Sequence, residues 1–153
     1  MKLVRITHAD EMFANEKEIR TLFKKYIERI KSYKNKKGEN DFQEIKSEDD
    51  LWDNVLFRVK FHDYYFYLIR DDDKWIGFFI GSLLRMQYFT SMYTHEIYIP
   101  KKGKFFGEIL KYVGQALGVD EFFGEAPPRI QRVYRRLLPN AEIKIKTMVM
   151  VRL

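Results

Sequence analysis

The sequence holds no cysteine, which excludes a disulfide framework and any zinc site built on thiolates. It has no apolar run of about 18 residues, so no transmembrane helix is expected. Met1 to Thr7 lacks the apolar stretch of a secretory leader, and a reducing cytoplasm is the expected compartment. Internal repeats and low-complexity tracts are missing, as are a Walker loop and a Gly-x-Ser-x-Gly elbow. His8, His62 and His95 are scattered, without the spacing that sets two ligands on one helix face, so no metal is expected. Asp71, Asp72 and Asp73 read as a solvated turn.

What is present is enough for a core. The chain has 153 residues, 46% of them hydrophobic and 16% aromatic, which suits one domain spanning 1–153 and argues against disorder. The net charge is +6. That charge fits either solubility with a preference for an anionic, phosphorylated ligand or nucleic-acid binding, and the first is favoured.

Periodicity gives the elements. Lys2 to Thr7 alternates like a short strand. Ile19, Leu22, Phe23, Tyr26, Ile27 and Ile30 share one helix face, and the polar stretch Lys34 to Asn40 ends that helix as a loop. Ser47 caps a second helix that buries Leu51, Trp52, Val55, Leu56 and Val59, with Asp50 at the third position after the cap. Tyr64 to Arg70 and Lys74 to Leu84 form a β-hairpin; Gly77 and Gly81 share a face there and leave room for close packing. Tyr93 to Ile99 is a strand and Lys104 to Leu117 a helix. Glu121 to Glu125 is a short strand, Arg129 to Leu138 a helix, and residues from Ile143 onward a terminal strand or tight hairpin. The fold class is therefore α/β, with a mixed, mostly antiparallel sheet and a strand-helix-strand-helix-strand second half built on right-handed crossovers.

One stretch carries ligand chemistry. Lys102-Gly103-Lys104-Phe105-Phe106-Gly107 follows a strand and opens a helix. The free N–H groups of a first helical turn, with the positive dipole end, can cradle a pyrophosphate. Glycine allows close approach and the lysines add charge. Phe105 either obstructs the anion or turns away and offers only its N–H.

This loop and the element order together resemble the GNAT family of acetyl-CoA-dependent N-acetyltransferases over essentially the whole chain. Lys102 stands at the family's Arg or Gln place, Gly107 matches its second glycine, and Phe105 replaces the first. The resemblance implies acetyl-CoA as the acyl donor and an amine as the acceptor, in direct attack within a ternary complex. It implies that main-chain groups of Ile97 and Ile99 pair with the pantetheine arm and that Lys102, Gly103, Lys104, Phe105, Phe106 and Gly107 hold the pyrophosphate. Tyr134 resembles the residue that protonates the departing thiolate, although Pro127 sits where an Asn is frequent. Glu96 looks like the glutamate that some members use as a base, with His95 the adjacent candidate. Strand alternation sends these two to opposite faces, so only one lines a given cleft. Tyr64, Tyr65 and Tyr67, with the first two helices, are expected to shape the acceptor cleft.

Two other readings stand beside the enzyme. The first is a non-catalytic module on the same fold, binding a host protein or serving as a phage particle component, since small proteins of this look resemble phage-encoded ones. That reading places the protein in a virion rather than the cytoplasm. The second is nucleic-acid binding by the basic helices, which ranks last; the stripe Arg129, Arg132 and Arg136 on the last helix could meet the 3′-phosphate of CoA, nucleic acid or water, and water is favoured because a charge run is usually a solvated face. The residues after Pro139 are short for two final strands joined by a loop, so the last strand is expected either to be single or to be completed by a partner chain.

Overall fold

The structure, a computed structural model, describes residues 1–32, 47–61, 64–85, 87–99, 105–119 and 121–124, with 132, 135, 136 and 138. The elements run β1 (Lys2–Ile6), α1 (Ala9–Ala14), α2 (Glu16–Lys31), α3 (Glu48–Lys60), β2 (Tyr65–Asp71), β3 (Lys74–Arg85), β4 (Thr90–Tyr98), α4 (Phe106–Leu117) and β5 (Glu121–Phe123). The sheet order is β1-β2-β3-β4-β5. The first four strands pair antiparallel. Among the described strands, β4 and β5 are the parallel pair, joined by the α4 crossover. The expected strand, two helices, hairpin and strand-helix-strand are all present. The Lys34 to Asn40 loop and the terminal strand lie outside the described residues, as does most of the Arg129 to Leu138 helix.

Each face of the sheet carries its own core. On one face α1, α2 and α3 pack Met12, Phe23, Tyr26, Trp52 and Val55 against Phe66, Leu68, Phe78, Ile80 and Tyr98. On the other, α4 packs Phe106, Ile109 and Val113 against Tyr67, Ile69, Phe79, Met92 and Ile99. Phe23, Phe66 and Phe78 are fully buried, each contributing about 1.5–3 kcal/mol relative to exposure. Phe23 meets Phe78 edge-on at 5.0 Å, and Tyr26 meets the same ring at 5.4 Å. The α2 face expected from its spacing is the buried one, with Ile19, Leu22, Phe23, Tyr26, Ile27 and Ile30 all inside.

The short helix α1 has no counterpart in the sequence reading. It is fixed by Glu11, whose carboxylate reaches back to accept hydrogen bonds from the N–H groups of Thr7 (2.6 Å) and His8 (3.1 Å). Those bonds, the one from Thr7 first among them, hold Glu11 below the ordinary carboxylate range. Helix α3 starts where expected: Ser47 Oγ accepts from the Asp50 N–H at 3.1 Å. Arg20 then ties α2 to the start of α3. It bonds Glu16 at 2.7 Å, Glu48 at 3.1 Å and Asp49 at 2.7 Å, and lies 4.6 Å over the Trp52 ring. Among the described residues no helix is long and apolar enough to cross a membrane.

Candidate active site

The site begins with an irregularity in β4. Ile80 pairs with Glu96, but the next residue of β3, Gly81, pairs with Thr94. His95 is the extra residue of a β-bulge. The bulge reverses the alternation of the strand. Before it, Met92 points into the α4-side core; after it, Tyr98, also even-numbered, points into the α2 and α3 side. Glu96 therefore faces α3, on the same side as His95. The expectation that these two occupy opposite faces is overturned, because simple alternation holds only for an unbulged strand.

Both residues line one cavity of about 280 Å³. Its other walls are Asp50, Leu51, Asn54 and Val55 from α3, with Tyr64 and Ile80. The α3 residues form two i, i+4 pairs, which is why one helix face supplies four of them. Of the three tyrosines expected at the acceptor cleft, only Tyr64 is there. Tyr67 is buried in the α4-side core and Tyr65 packs against it. Tyr65 and Tyr67 follow Tyr64 on a strand, and Tyr64 alone precedes the strand's first residue.

The electrostatics of the cavity follow from burial. Glu96 is half-buried and accepts no hydrogen bond from any described residue, so loss of solvent pushes its carboxyl up to about 8. Burial also lowers the His95 imidazole, and the nearby Arg58 charge adds to that. His95 is thus neutral near pH 7. Its Nε2 lies 2.7 Å from Ser82 Oγ. Its ring is flanked by Tyr64 at 4.6 Å and Tyr93 at 4.7 Å. The Tyr64 hydroxyl donates to Asn54 Oδ1 at 3.2 Å.

The second part of the site is the edge of β4 that runs beyond its pairing with β5. β4 and β5 pair over three residues of each strand, Ser91 to Tyr93 against Glu121 to Phe123. Gly124 then sits against the Thr94 carbonyl oxygen, where a Cβ would come within 2.8 Å. Past Thr94, β4 continues to Tyr98 with no described partner on the β5 side. The Tyr98 carbonyl points the other way, toward β3, because a Cβ on Gly77 would collide with it. Backbone groups alternate along a strand, so the N–H and C=O of Ile97 face the β5-side edge. The room that Gly77 and Gly81 were expected to leave is taken by the protein itself, by the Tyr98 carbonyl and by the Met92 side chain.

Phe105 caps α4 and its ring packs against the α4-side core, beside the buried ring of Phe106. The expectation had left Phe105 either obstructing an anion or turned away; its ring is in the core. Gly107 lies in the first turn of the same helix. Ile97 and Ile99 send their side chains to that core as well. Lys102, Gly103, Lys104 and Tyr134 lie outside the described residues. Sequence reasoning missed Asn54, Ser82 and Tyr93, and took Asp50 only as a capping residue. An i, i+4 pair on α3 was the one signal for Asp50 and Asn54. The bulge that recruits Ser82 and Tyr93 has no sequence signature here.

No protein-family model matches the sequence, and no curated protein does. Solved structures do match. A ribosomal-protein-alanine N-acetyltransferase from Brucella melitensis biovar Abortus 2308 is 14% identical and superposes with a TM-score of 0.65, covering 100% of both chains. A GNAT family acetyltransferase from Staphylococcus aureus is 14% identical with a TM-score of 0.62, again over 100% of both. A predicted acetyltransferase from Clostridium acetobutylicum, solved with acetyl-CoA, is 7% identical with a TM-score of 0.60, covering 98% of this chain and 95% of that one. The chain has the fold of the GNAT acetyltransferases.

Proposed function

We propose that the protein transfers an acetyl group from acetyl-CoA to a primary amine, in a ternary complex and without a covalent enzyme intermediate. The observation that carries this reading is the bulge in β4. It sets a carboxyl with a value of about 8 in a small cavity on the strand that runs past Thr94, beyond its pairing with β5. The fold, shared with a structure that holds acetyl-CoA, supplies the donor.

The residues divide the work. Lys102, Gly103 and Lys104, with the N–H groups of Phe105, Phe106 and Gly107, bind the pyrophosphate at the α4 N-terminus. The main chain of Ile97 and Ile99 lines the pantetheine arm. The acceptor arrives as an ammonium and gives its proton to Glu96, whose value near working pH suits a general base. The free amine attacks the thioester carbonyl and forms the new N–C bond, and the Ile97 N–H stabilises the resulting oxyanion. Its collapse breaks the C–S bond; Tyr134 gives its proton to the departing thiolate and takes up the second proton of the amine nitrogen.

The test is calorimetric titration with acetyl-CoA and with dephospho-CoA, followed by an assay of thiol release over a panel of amines. Saturable micromolar binding that weakens without the 3′-phosphate, with amine-dependent thiol release, supports the reading. No binding at millimolar acetyl-CoA removes it and leaves a fold without this chemistry.

A further inference from the structure

Ser82 and His95 meet side chain to side chain. Ser82 Oγ lies 2.7 Å from His95 Nε2, within the distance at which an imidazole takes a hydroxyl proton. The fold brings them together from two strands. On β3, Phe78 and Ile80 enter the α3-side core, and alternation turns Ser82 the same way. On β4, Tyr93 pairs with Ser82 and Thr94 with Gly81, and His95 is the extra residue that the bulge turns onto Ser82. Both side chains belong to half-buried residues, and the transfer of an acetyl group to an amine gives neither of them a step.

The imidazole is suited to be a base. Burial keeps it neutral near pH 7, with the Arg58 charge adding to that. With its proton on Nδ1, Nε2 accepts from the Ser82 hydroxyl. Among the described residues no carboxylate bonds Nδ1. The ring is held instead by Tyr64 at 4.6 Å and Tyr93 at 4.7 Å, which take the place of the orienting third group of a triad. His95 also lines the cavity against α3, whose apolar wall is Leu51, Val55 and Ile80. A volume of about 280 Å³ admits a short acyl group and is below the usual range for a large ligand, about 300 to 1,000 Å³. Asn54 lines the same cavity, and because its Oδ1 accepts from the Tyr64 hydroxyl its amide N–H groups are left to donate to a ligand.

We infer that Ser82 and His95 form a nucleophile and base pair that hydrolyses small acyl esters through an acyl-serine. Ser82 Oγ attacks the ester carbonyl carbon while its proton passes to His95 Nε2, and the Asn54 amide steadies the oxyanion. The intermediate collapses, the bond to the leaving oxygen breaks, and that oxygen takes the proton back from His95. Water then attacks the acyl-serine with His95 again as base, which releases the acid and restores the Ser82 hydroxyl. The pair uses neither the α4 N-terminus nor Glu96, so this activity stands apart from the transferase reading.

The experiment is run without acetyl-CoA and without an amine. An alkyl fluorophosphonate forms an Oγ–P bond as fluoride leaves, and peptide mass mapping places the adduct on Ser82. 4-Nitrophenyl acetate releases nitrophenol catalytically. Ser82→Ala abolishes both signals, and His95→Gln slows both by about 10²-fold or more. Absence of an adduct on Ser82, or labelling of His95→Gln at the wild-type rate, overturns the inference. A second variant guards against misfolding. The chain has no cysteine, so Ser82→Cys installs its sole thiol. Alkylation of that thiol by iodoacetamide at pH 6, well below the value of about 8.5 for a free thiol, slows about tenfold when His95→Gln is added. Equal alkylation rates with and without the imidazole also overturn the pair. Amine acetylation is then read in its own assay. A labelled Ser82 with no amine acetylation keeps the pair and sinks the transferase; amine acetylation with an unreactive Ser82 does the reverse.

Discussion

His95 and Glu96 are consecutive in the chain, yet both side chains line one cavity, because β4 bulges between the partners of Ile80 and Gly81. An unbulged strand would turn Glu96 toward α4 and seat it in an apolar core. The bulge instead gives the carboxyl access to a cleft while leaving it dry enough to resist ionisation. It also stacks His95 between two tyrosines.

The first prediction concerns Glu96 in catalysis. Glu96→Gln removes the proton acceptor and lowers kcat/KM for amine acetylation by about 10²–10³-fold, while acetyl-CoA binding stays unchanged. The wild-type profile of kcat/KM rises with pH and levels off above about 8, the value to which burial pushes Glu96. A weakly basic acceptor amine should be used, so that its own titration lies below that range. An inflection near 8 that survives in Glu96→Gln would assign the base elsewhere.

The second concerns stability. The Glu96 carboxyl moves from 4.5 to about 8 on folding. Between those values the native chain binds the proton and the unfolded chain does not, so stability falls as pH rises from about 4.5 to 8. His95 acts in the opposite direction. Its value is lowered from 6.5, so below that pH the unfolded chain takes up a proton that the native state resists, and stability falls as pH falls. Urea midpoints measured from pH 5 to 9 should show Glu96→Gln gaining on the wild type as pH rises. A constant gap between the two would mean that Glu96 is not desolvated.

A third prediction tests what fixes the α3 wall. Ser47 Oγ accepts from the Asp50 N–H and donates to Asp50 Oδ2 at 2.7 Å. Ser47→Ala should cost about 1 kcal/mol in urea denaturation. It should also raise KM for the amine more than for acetyl-CoA, since Asp50, Leu51, Asn54 and Val55 all follow from where α3 begins. Equal effects on both substrates would place the wall's support elsewhere, with Arg20 the next candidate.

What was legible in the sequence divides along physical lines. The face of α2, the Ser47 cap and the β2–β3 hairpin are local patterns, written in spacing and in residue type, and they stand in the structure as expected. Helix α1 escaped because its N-terminal position is held by His8, an unusual cap residue, and the signal lay in Glu11 reaching back. The site was half legible. Glu96 was named from the family resemblance and His95 as its neighbour, but their relation depends on a one-residue register shift set by pairing with β3. Such a shift depends on how two strands meet, and nothing in either strand alone records it. Asn54 had no chemical signature until the cavity gathered it, nor Tyr93 until the bulge set His95 against its ring.

The last prediction addresses the stretch of β4 beyond β5. At Gly77 an added Cβ would collide with the Tyr98 carbonyl oxygen, which is backbone and cannot swing aside. At Gly81 the nearest atom is the Met92 sulfur at 2.9 Å, the end of a flexible side chain, although the Tyr93 carbonyl also lies at 3.0 Å. Neither glycine has a positive φ, so alanine carries no conformational penalty at either and would stabilise by about 0.4–1 kcal/mol through the unfolded chain if space allowed. Gly77→Ala should instead destabilise by about 1–3 kcal/mol, and by more than Gly81→Ala. Because the collision pushes on the β4 backbone next to Ile97, Gly77→Ala should also weaken acetyl-CoA binding, read by calorimetry under conditions where the variant is fully folded. If Gly77→Ala is as stable as the wild type and binds acetyl-CoA equally well, β3 and β4 do not approach as closely as the structure has them, and the orientation assigned to the Ile97 main chain loses its support.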